Sequence, residues 1–248
     1  MADKNYLHTA YANSADGTYG FTTVYPNLNL FNGTSSTLKT VSATGWGYNY
    51  INAKTNNLNL KKGQTLTYSV WIQDCDIDTR GVVYLYDSQN KQYYNFGNII
   101  KAGTSGLSTI TFTVSIDVAS YKVSIGFVAD QSNLHNLSYS KSKLEPGSIA
   151  TPYMRSASEV TTADWPKYVG TYVDTNQVSS TVSSKYDWDE MKYRVYLDGT
   201  PVGGSKLLSF DLENLKAGTS YNVQVSQING NVESDKSESV AFKTTLTK

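Results

Sequence analysis

The chain has 248 residues, enough for one large all-β unit or two domains, with a substantial core that needs no covalent staple. Lys plus Arg equals Asp plus Glu at 21 each, and this neutral balance without a basic cluster argues against nucleic acid or anionic membrane as main partner. Charged residues make up only 17%, so polarity rests on Asn, Ser, Thr, Gly and 20 Tyr, a mixture that suits neutral polar ligands but also builds sheets and turns.

Cys75 is the single cysteine, so no intramolecular disulfide is expected and the redox compartment stays open. No apolar run approaches the length of a transmembrane helix. The opening "MADKNYLHTAY" has neither a basic nor an apolar signal region, so synthesis in a cytoplasm is expected.

Helical periodicity is nearly absent, and period-two runs between turn residues predict sandwiches. "NYLHTAYANSADGTYGFTT" reads as a short strand-turn piece in an N-terminal joining segment, residues 1–23. "NLNLF" then predicts a first strand, ending at an Asn32-Gly33 turn. In "GWGYNYINA", Trp46, Tyr48 and Tyr50 share one face. The other face is glycine and asparagine and cannot supply a core, so the stretch reads as mostly core, with one ring at a groove edge. In "LNLKKGQTLTYSVWIQD", Lys62-Gly63 makes a turn and Leu66, Tyr68, Val70 and Ile72 face inward. Thr67, Ser69, Trp71 and Gln73 therefore face outward.

"GVVYLYDSQNKQYYNFG" predicts a hairpin around Ser88-Gln89-Asn90, with Val83 and Leu85 inward and Tyr84 and Tyr86 outward. "LSTITFTVS" sends Ile110, Phe112 and Val114 inward, and "YKVSIGFVAD" sends Val123, Ile125 and Phe127 inward. "LSYSKSKLEPGSIATPY" closes the block, and at least eight such strands predict a two-sheet jelly roll over residues 24–155. "SASEVTTADW", with Ser158 or Thr161 as cap, is the one short helical piece expected, in a linker at residues 156–167.

In residues 168–248, Asp198-Gly199 signals a hairpin. The run Leu215-Lys216-Ala217-Gly218-Thr219-Ser220-Tyr221 resembles the "L-x-x-G-T-x-Y" corner of fibronectin type III domains, which implies a smaller β-sandwich with Tyr221 as corner tyrosine. A pair of opening strands before Tyr193 is missing. Two arrangements fit. Either residues 1–23 adjoin "KYVGTYVDTNQ" and complete this domain, the jelly roll being inserted at about Thr23 and Pro166, or the domains are consecutive behind a separate N-terminal segment.

Constellations for catalysis are scarce. His8 and His135 lie in different predicted domains, and no nucleophile elbow, zinc helix, P-loop or dinucleotide fingerprint occurs. Asp74, Asp76, Asp87 and Asp130 are candidate carboxylates for glycoside hydrolysis, yet any domain contains acids, so non-catalytic function is expected. "DCDIDTRG" fails the EF-hand pattern, with Thr79 and Leu85 where Gly and Glu are required. A turn with solvated acids is the better reading.

Two sets of residues resemble known families. "TLTYSVWIQ" and "SKSKLEPGS" are similar to jelly-roll carbohydrate-binding modules of families four and nine. "YLHTAYANSADGTYGFTTVYPNLNL", "ATPYMRSASEVTTADWPKYVGTYVDTNQ" and "YDWDEM" resemble joining segments in tail and baseplate proteins of siphophages that infect lactic acid bacteria. The whole resembles a baseplate accessory or tail-associated protein. That resemblance implies a virion location, other baseplate proteins and a bacterial cell-wall saccharide as partners, and adhesion rather than catalysis. No cofactor is implied; structural calcium, common in such jelly rolls, stays open without assigned ligands.

For a saccharide site the aromatic residues are the candidates, because flat rings stack on sugar C–H faces while neighbouring polar groups meet hydroxyls. Trp71 leads, since it sits opposite the aliphatic face. Tyr84 and Tyr86 are expected to extend its platform, Gln73, Asp87 and Asn95 to meet hydroxyls, and Tyr93, Tyr94 and Phe96 to form a rim. Trp165 and Trp188, near the domain junction, are read as packing residues. The alternative function is a structural connector that decorates the baseplate with these rings buried.

Overall fold

The computed structural model describes residues 4–18, 21–52, 57–129 and 132–245. The chain folds as two compact units, one of Met1–Asn27 with Thr161–Lys248, the other of Leu28–Val160. Strands follow the order β1 (Tyr6–Ala12), β2 (Lys39–Ala43), β3 (Gly47–Asn52), β4 (Thr65–Gln73), β5 (Thr79–Tyr86), β6 (Gln92–Phe96), β7 (Gly106–Thr113), β8 (Ser120–Phe127) and β9 (His135–Pro146). They continue as β10 (Tyr168–Asp174), β11 (Asp187–Glu190), β12 (Tyr193–Leu197), β13 (Thr200–Ser205), β14 (Ser220–Asn229), β15 (Val232–Glu233) and β16 (Val240–Lys243). The protein is all-β, and its helical content among the described residues is two single 3-10 turns, Thr162–Asp164 and Ser183–Lys185.

The Leu28–Val160 unit is two four-stranded antiparallel sheets, ordered β2-β9-β4-β7 and β3-β8-β5-β6. The chain crosses from one sheet to the other at nearly every connection, which is the jelly-roll winding. Alternation decides the core. Leu66, Tyr68, Val70 and Ile72 of β4 are fully buried and meet Val83 and Leu85 of β5 and Val123 and Ile125 of β8 in one cluster. Tyr68 carries its hydroxyl into that core and bonds it to the Tyr50 hydroxyl, which also bonds Ser142 Oγ at 3.0 Å. Burial pushes both phenols above their ordinary pKa.

"NLNLF" does not form the expected strand. Only Asn29 makes a bridge, parallel to Ser156. The reason lies in its side chain, which takes over bonds a ladder would supply. Asn29 Oδ1 accepts the N–H groups of Phe31 and Leu144, and Nδ2 donates to the Ser142 carbonyl and Thr34 Oγ1. Downstream, Glu159 accepts the Gly33 N–H and the Ser156 hydroxyl, so the unit runs to Val160 rather than ending at residue 155. The short helical piece is reduced to Thr162–Asp164, where the Asp164 carboxylate accepts the Thr161 N–H and hydroxyl at 2.8 Å each.

Beyond β9 the chain folds back over the outer side of the β4-β9 sheet. Lys143 and Glu145 point outward there, yet both are fully buried and lie 3.1 Å apart. Thr151 completes the pair. Its N–H donates to Glu145 Oε1, and its hydroxyl bonds Lys143 Nζ at 2.6 Å and Glu145 Oε2 at 2.5 Å. Burial lowers the Lys143 ammonium to about 8 although Glu145 opposes the fall.

In the other unit, β1 pairs with β10 along its whole length, from Tyr6↔Asp174 to Ala12↔Tyr168, and β10 pairs with β11. A second sheet runs β13-β12-β14-β15, with β16 also on β14. The β12–β13 hairpin turns at Asp198 and Gly199, both with positive φ (49° and 80°), as a two-residue primed turn demands. At the corner before β14, the Lys216 N–H donates to Tyr221 Oη at 2.9 Å. Under the β12-β14 sheet a polar group is buried and satisfied: Arg194 pairs with Glu233, and its Nε donates to Tyr25 Oη. Tyr25 stacks on Trp165 at 5.6 Å between centroids, so Trp165 is a packing residue. Trp188 packs against Phe21 and Tyr186.

Candidate functional site

The predicted ring platform is divided by the winding of the jelly roll. Trp71 lies on β4, in one sheet, while Tyr84, Tyr86 and Tyr94 lie on β5 and β6, in the other. All four alternate outward from the common core. Outward from opposing sheets means opposite faces of the sandwich, so Trp71 and the tyrosines do not share one surface.

Trp71 is partly exposed, beside Leu107 and Ser140 in the ladder. Its indole N–H donates to Gln73 Oε1 at 3.0 Å, and Gln73 Nε2 donates to Asp74 at 2.9 Å. Trp71 and Gln73 thus form a small patch of their own. "GWGYNYINA" divides as its pattern predicts: Tyr48 and Tyr50 pack on the core, and Trp46, in the turn before β3, is 70% exposed.

The larger aromatic face belongs to the β5–β6 hairpin. Tyr94 is 52% exposed and Phe96 49%, with ring planes 13° apart and centroids 5.8 Å apart. Tyr84 meets Tyr94 edge-on at 5.3 Å and is itself 9% exposed, so it underpins the exposed rings more than it presents its own. Burial raises the Tyr84 hydroxyl above its ordinary pKa, with the Lys122 ammonium acting against the rise. Polar groups hold the rings in place: the Tyr94 hydroxyl donates to Gln92 Oε1, and Gln92 Nε2 donates to the Tyr86 hydroxyl. Gln92, which sequence reasoning did not single out, therefore links Tyr86 and Tyr94; it lies two residues before Tyr94 on β6, and that spacing was the available signal.

Asp87 serves the turn. Its Oδ1 accepts the N–H groups of Gln89 and Lys91, and its Oδ2 accepts the Tyr93 hydroxyl at 3.3 Å. Tyr93 packs inward on the core, and the Asn95 amide reaches toward the Val83 carbonyl at 3.5 Å, so neither extends the outer face.

The remaining acids are dispersed. Asp78 binds Lys101 and the Ala102 N–H, and these bonds hold its carboxyl below the usual range. Asp76 meets His135 Nδ1 at 3.0 Å, and Asp130 lies outside the described residues. Among the described residues no group of three or more His, Cys, Asp or Glu is arranged to hold a metal ion. Cys75 is buried, and desolvation raises its thiol pKa.

Comparison with known proteins adds the biological setting. A chain of the tripod (BppUct-A-L) from the baseplate of bacteriophage Tuc2009 is 51% identical, with the match covering 100% of both chains at a TM-score of 0.83. The chain belongs to that siphophage baseplate family. The baseplate protein also matches, over residues 166–224, the family model of the minor structural protein 5-like C-terminal domain, BppU-like. It is a structural component of the virion, in the tail or baseplate. The CBM22-1-GH10 modules of a Clostridium thermocellum xylanase, complexed with xylohexaose, align over 58% of this chain and 29% of that one, at 13% identity and a TM-score of 0.28, too slight a likeness to carry an argument. No curated protein matches the chain.

Proposed function

We propose that this baseplate protein is a non-catalytic adhesion component that binds a cell-wall saccharide of the bacterial host through the outer face of the β5–β6 hairpin. The observation that carries the reading is the near-parallel, half-exposed pair Tyr94 and Phe96, fixed from below by Tyr84 and from the side by Gln92. Exposed aromatic rings held rigid next to amide and hydroxyl groups have the chemistry a sugar needs, at little ordering cost. In this reading Leu28–Val160 is an inserted binding module. The other unit, with its tyrosine corner of fibronectin type III kind and the matched residues 166–224, attaches the protein to other baseplate proteins. Many weak sites on one virion would make adhesion strong.

The test is labelling of host cells by the fluorescent full chain. Wild type is expected to label, Tyr94→Ala and Phe96→Ala to lose at least tenfold, and Trp71→Ala to match wild type. Loss in Trp71→Ala alone would move the site to the other sheet. A folded wild type that labels no host cells would leave the protein a structural connector.

A further inference from the structure

The five-stranded sheet of the unit formed by Met1–Asn27 and Thr161–Lys248 has two unlike faces. One is closed: Arg194 and Tyr196 of β12 and Ser226 of β14 are buried there and all bond Glu233. The other is apolar and half open. Register makes it continuous, because residues opposite each other in an antiparallel pair share a face. Val195 stands opposite Val225, Leu197 opposite Val223, Val223 opposite Val240, and Tyr221 opposite Phe242. Of these Val195 is buried, Val240 is 66% exposed, and the others are half-buried. Asn222, Gln224 and Ser226 alternate to the opposite side, so β14 has the pattern of a strand with one core face.

The segment after β13 crosses part of this face and leaves a cavity. Leu207, Phe210 and Leu212 wall it on one side and Val195, Val223 and Val225 on the other, enclosing about 310 Å³. Leu208 also borders it and is 92% exposed. A single exposed leucine is ordinary, but one beside an apolar cavity is a knob next to a hole. An isologous contact needs that combination, since each copy must offer the group that the other receives. Two such faces can also meet as the sheets of a sandwich do, with side chains interdigitating across about 10 Å. A different partner would have to bring both features in complementary form, whereas this chain carries both on one face.

We infer that this face joins two copies of the chain about a two-fold axis, with Leu208 of each entering the cavity of the other. Three strands and the crossing segment span roughly 20 Å by 20 Å, so each copy contributes about 400 Å² and the pair about 800 Å². That lies below the roughly 1,200–2,000 Å² of a stable complex, so the dimer is weak and concentration-dependent. The inference does not depend on the saccharide reading. If both hold, each pair carries two binding modules that can engage together.

The test is sedimentation of the full chain from about 1 to about 200 µM, the range in which weak contacts associate. Wild type is expected to pass from monomer to dimer. Leu208→Asp, at a side chain too exposed to matter for folding, should weaken association at least tenfold, while Leu208→Met keeps most of it. Leu134→Asp, at a 63% exposed leucine of the other unit, should leave association unchanged. Matching melting profiles show that the variants fold. Wild type that stays monomeric throughout overturns the inference, as does a dimer that Leu208→Asp leaves intact, an equal loss in Leu134→Asp, or closure into a trimer. None of these outcomes bears on the saccharide reading, which host-cell labelling decides separately.

Discussion

Replacing Asn29 with alanine is expected to release the opening segment of the Leu28–Val160 unit. The buried amide makes four bonds: Nδ2 to the Ser142 carbonyl at 2.8 Å and to Thr34 Oγ1 at 2.9 Å, and Oδ1 from the N–H groups of Phe31 at 3.0 Å and Leu144 at 2.9 Å. Thr34 keeps its bond to the Tyr153 hydroxyl. The Phe31 and Leu144 N–H groups and the Ser142 carbonyl belong to buried residues and would be stranded. A stranded buried group costs about 1–3 kcal/mol, and with partial relaxation three of them sum to about 3–4 kcal/mol. Unfolding entropy scales with length, so a unit of this size loses about 3–4 °C of melting temperature per kcal/mol, giving a fall of about 9–16 °C. Calorimetry of the full chain should show one transition moving by that amount. Hydrogen exchange should quicken at peptides covering Phe31 and Leu144. A shift under about 3 °C with unchanged exchange at Leu144 would refute the argument that this side chain stands in for a strand.

Gly47→Ala should destabilise the same unit by about 2–3 kcal/mol, read in urea melts, because φ is 126° and a Cβ would fall 2.0 Å from the Ile125 carbonyl oxygen. Lys143→Met leaves the Glu145 carboxylate buried with the Thr151 donors alone and should cost about 3–5 kcal/mol, whereas Lys143→Met with Glu145→Met should recover most of that; a double variant as weak as the single would contradict it. Alkaline unfolding follows from the buried phenols. Tyr25, Tyr121 and Tyr186 are raised to about 12, chiefly by burial, and Tyr50, Tyr68 and Tyr139 are raised as well. Because an unfolded Tyr ionises near pH 10, their contribution is intact below about pH 10 and is lost as pH rises through about 12. Tyrosinate absorbance for these residues should therefore appear together with loss of circular dichroism, and full ionisation of a folded chain near pH 10.5 would contradict it.

Much of the fold was legible because alternation is a local property. Leu66, Tyr68, Val70 and Ile72 could be assigned to the core from β4 alone, and Asp198-Gly199 fixed a turn by its own backbone preference. "NLNLF" was misread because its alternation is real while its hydrogen bonds go through the Asn29 amide to Ser142 and Leu144, more than a hundred residues away.

The site was half legible for a reason of the same kind. Alternation shows whether a side chain points into the core or away from it, but a two-sheet unit has two ways of pointing away. Trp71 and Tyr84 are both outward residues of consecutive strands. The short crossing between β4 and β5 carries the chain from one sheet to the other, so the rings emerge on opposite faces. Exposure is no more local: Tyr84 is covered by Tyr94 from β6 and Lys122 from β8, brought to it by register. Charge behaves alike. A chain of 21 cations and 21 acids is neutral overall, yet the fold brings the Arg80 guanidinium over the Phe96 ring and the Lys122 ammonium over the Tyr84 ring. Composition holds no trace of these contacts, and only the register of β5 with β6 and β8 brings the two cations to the aromatic rings.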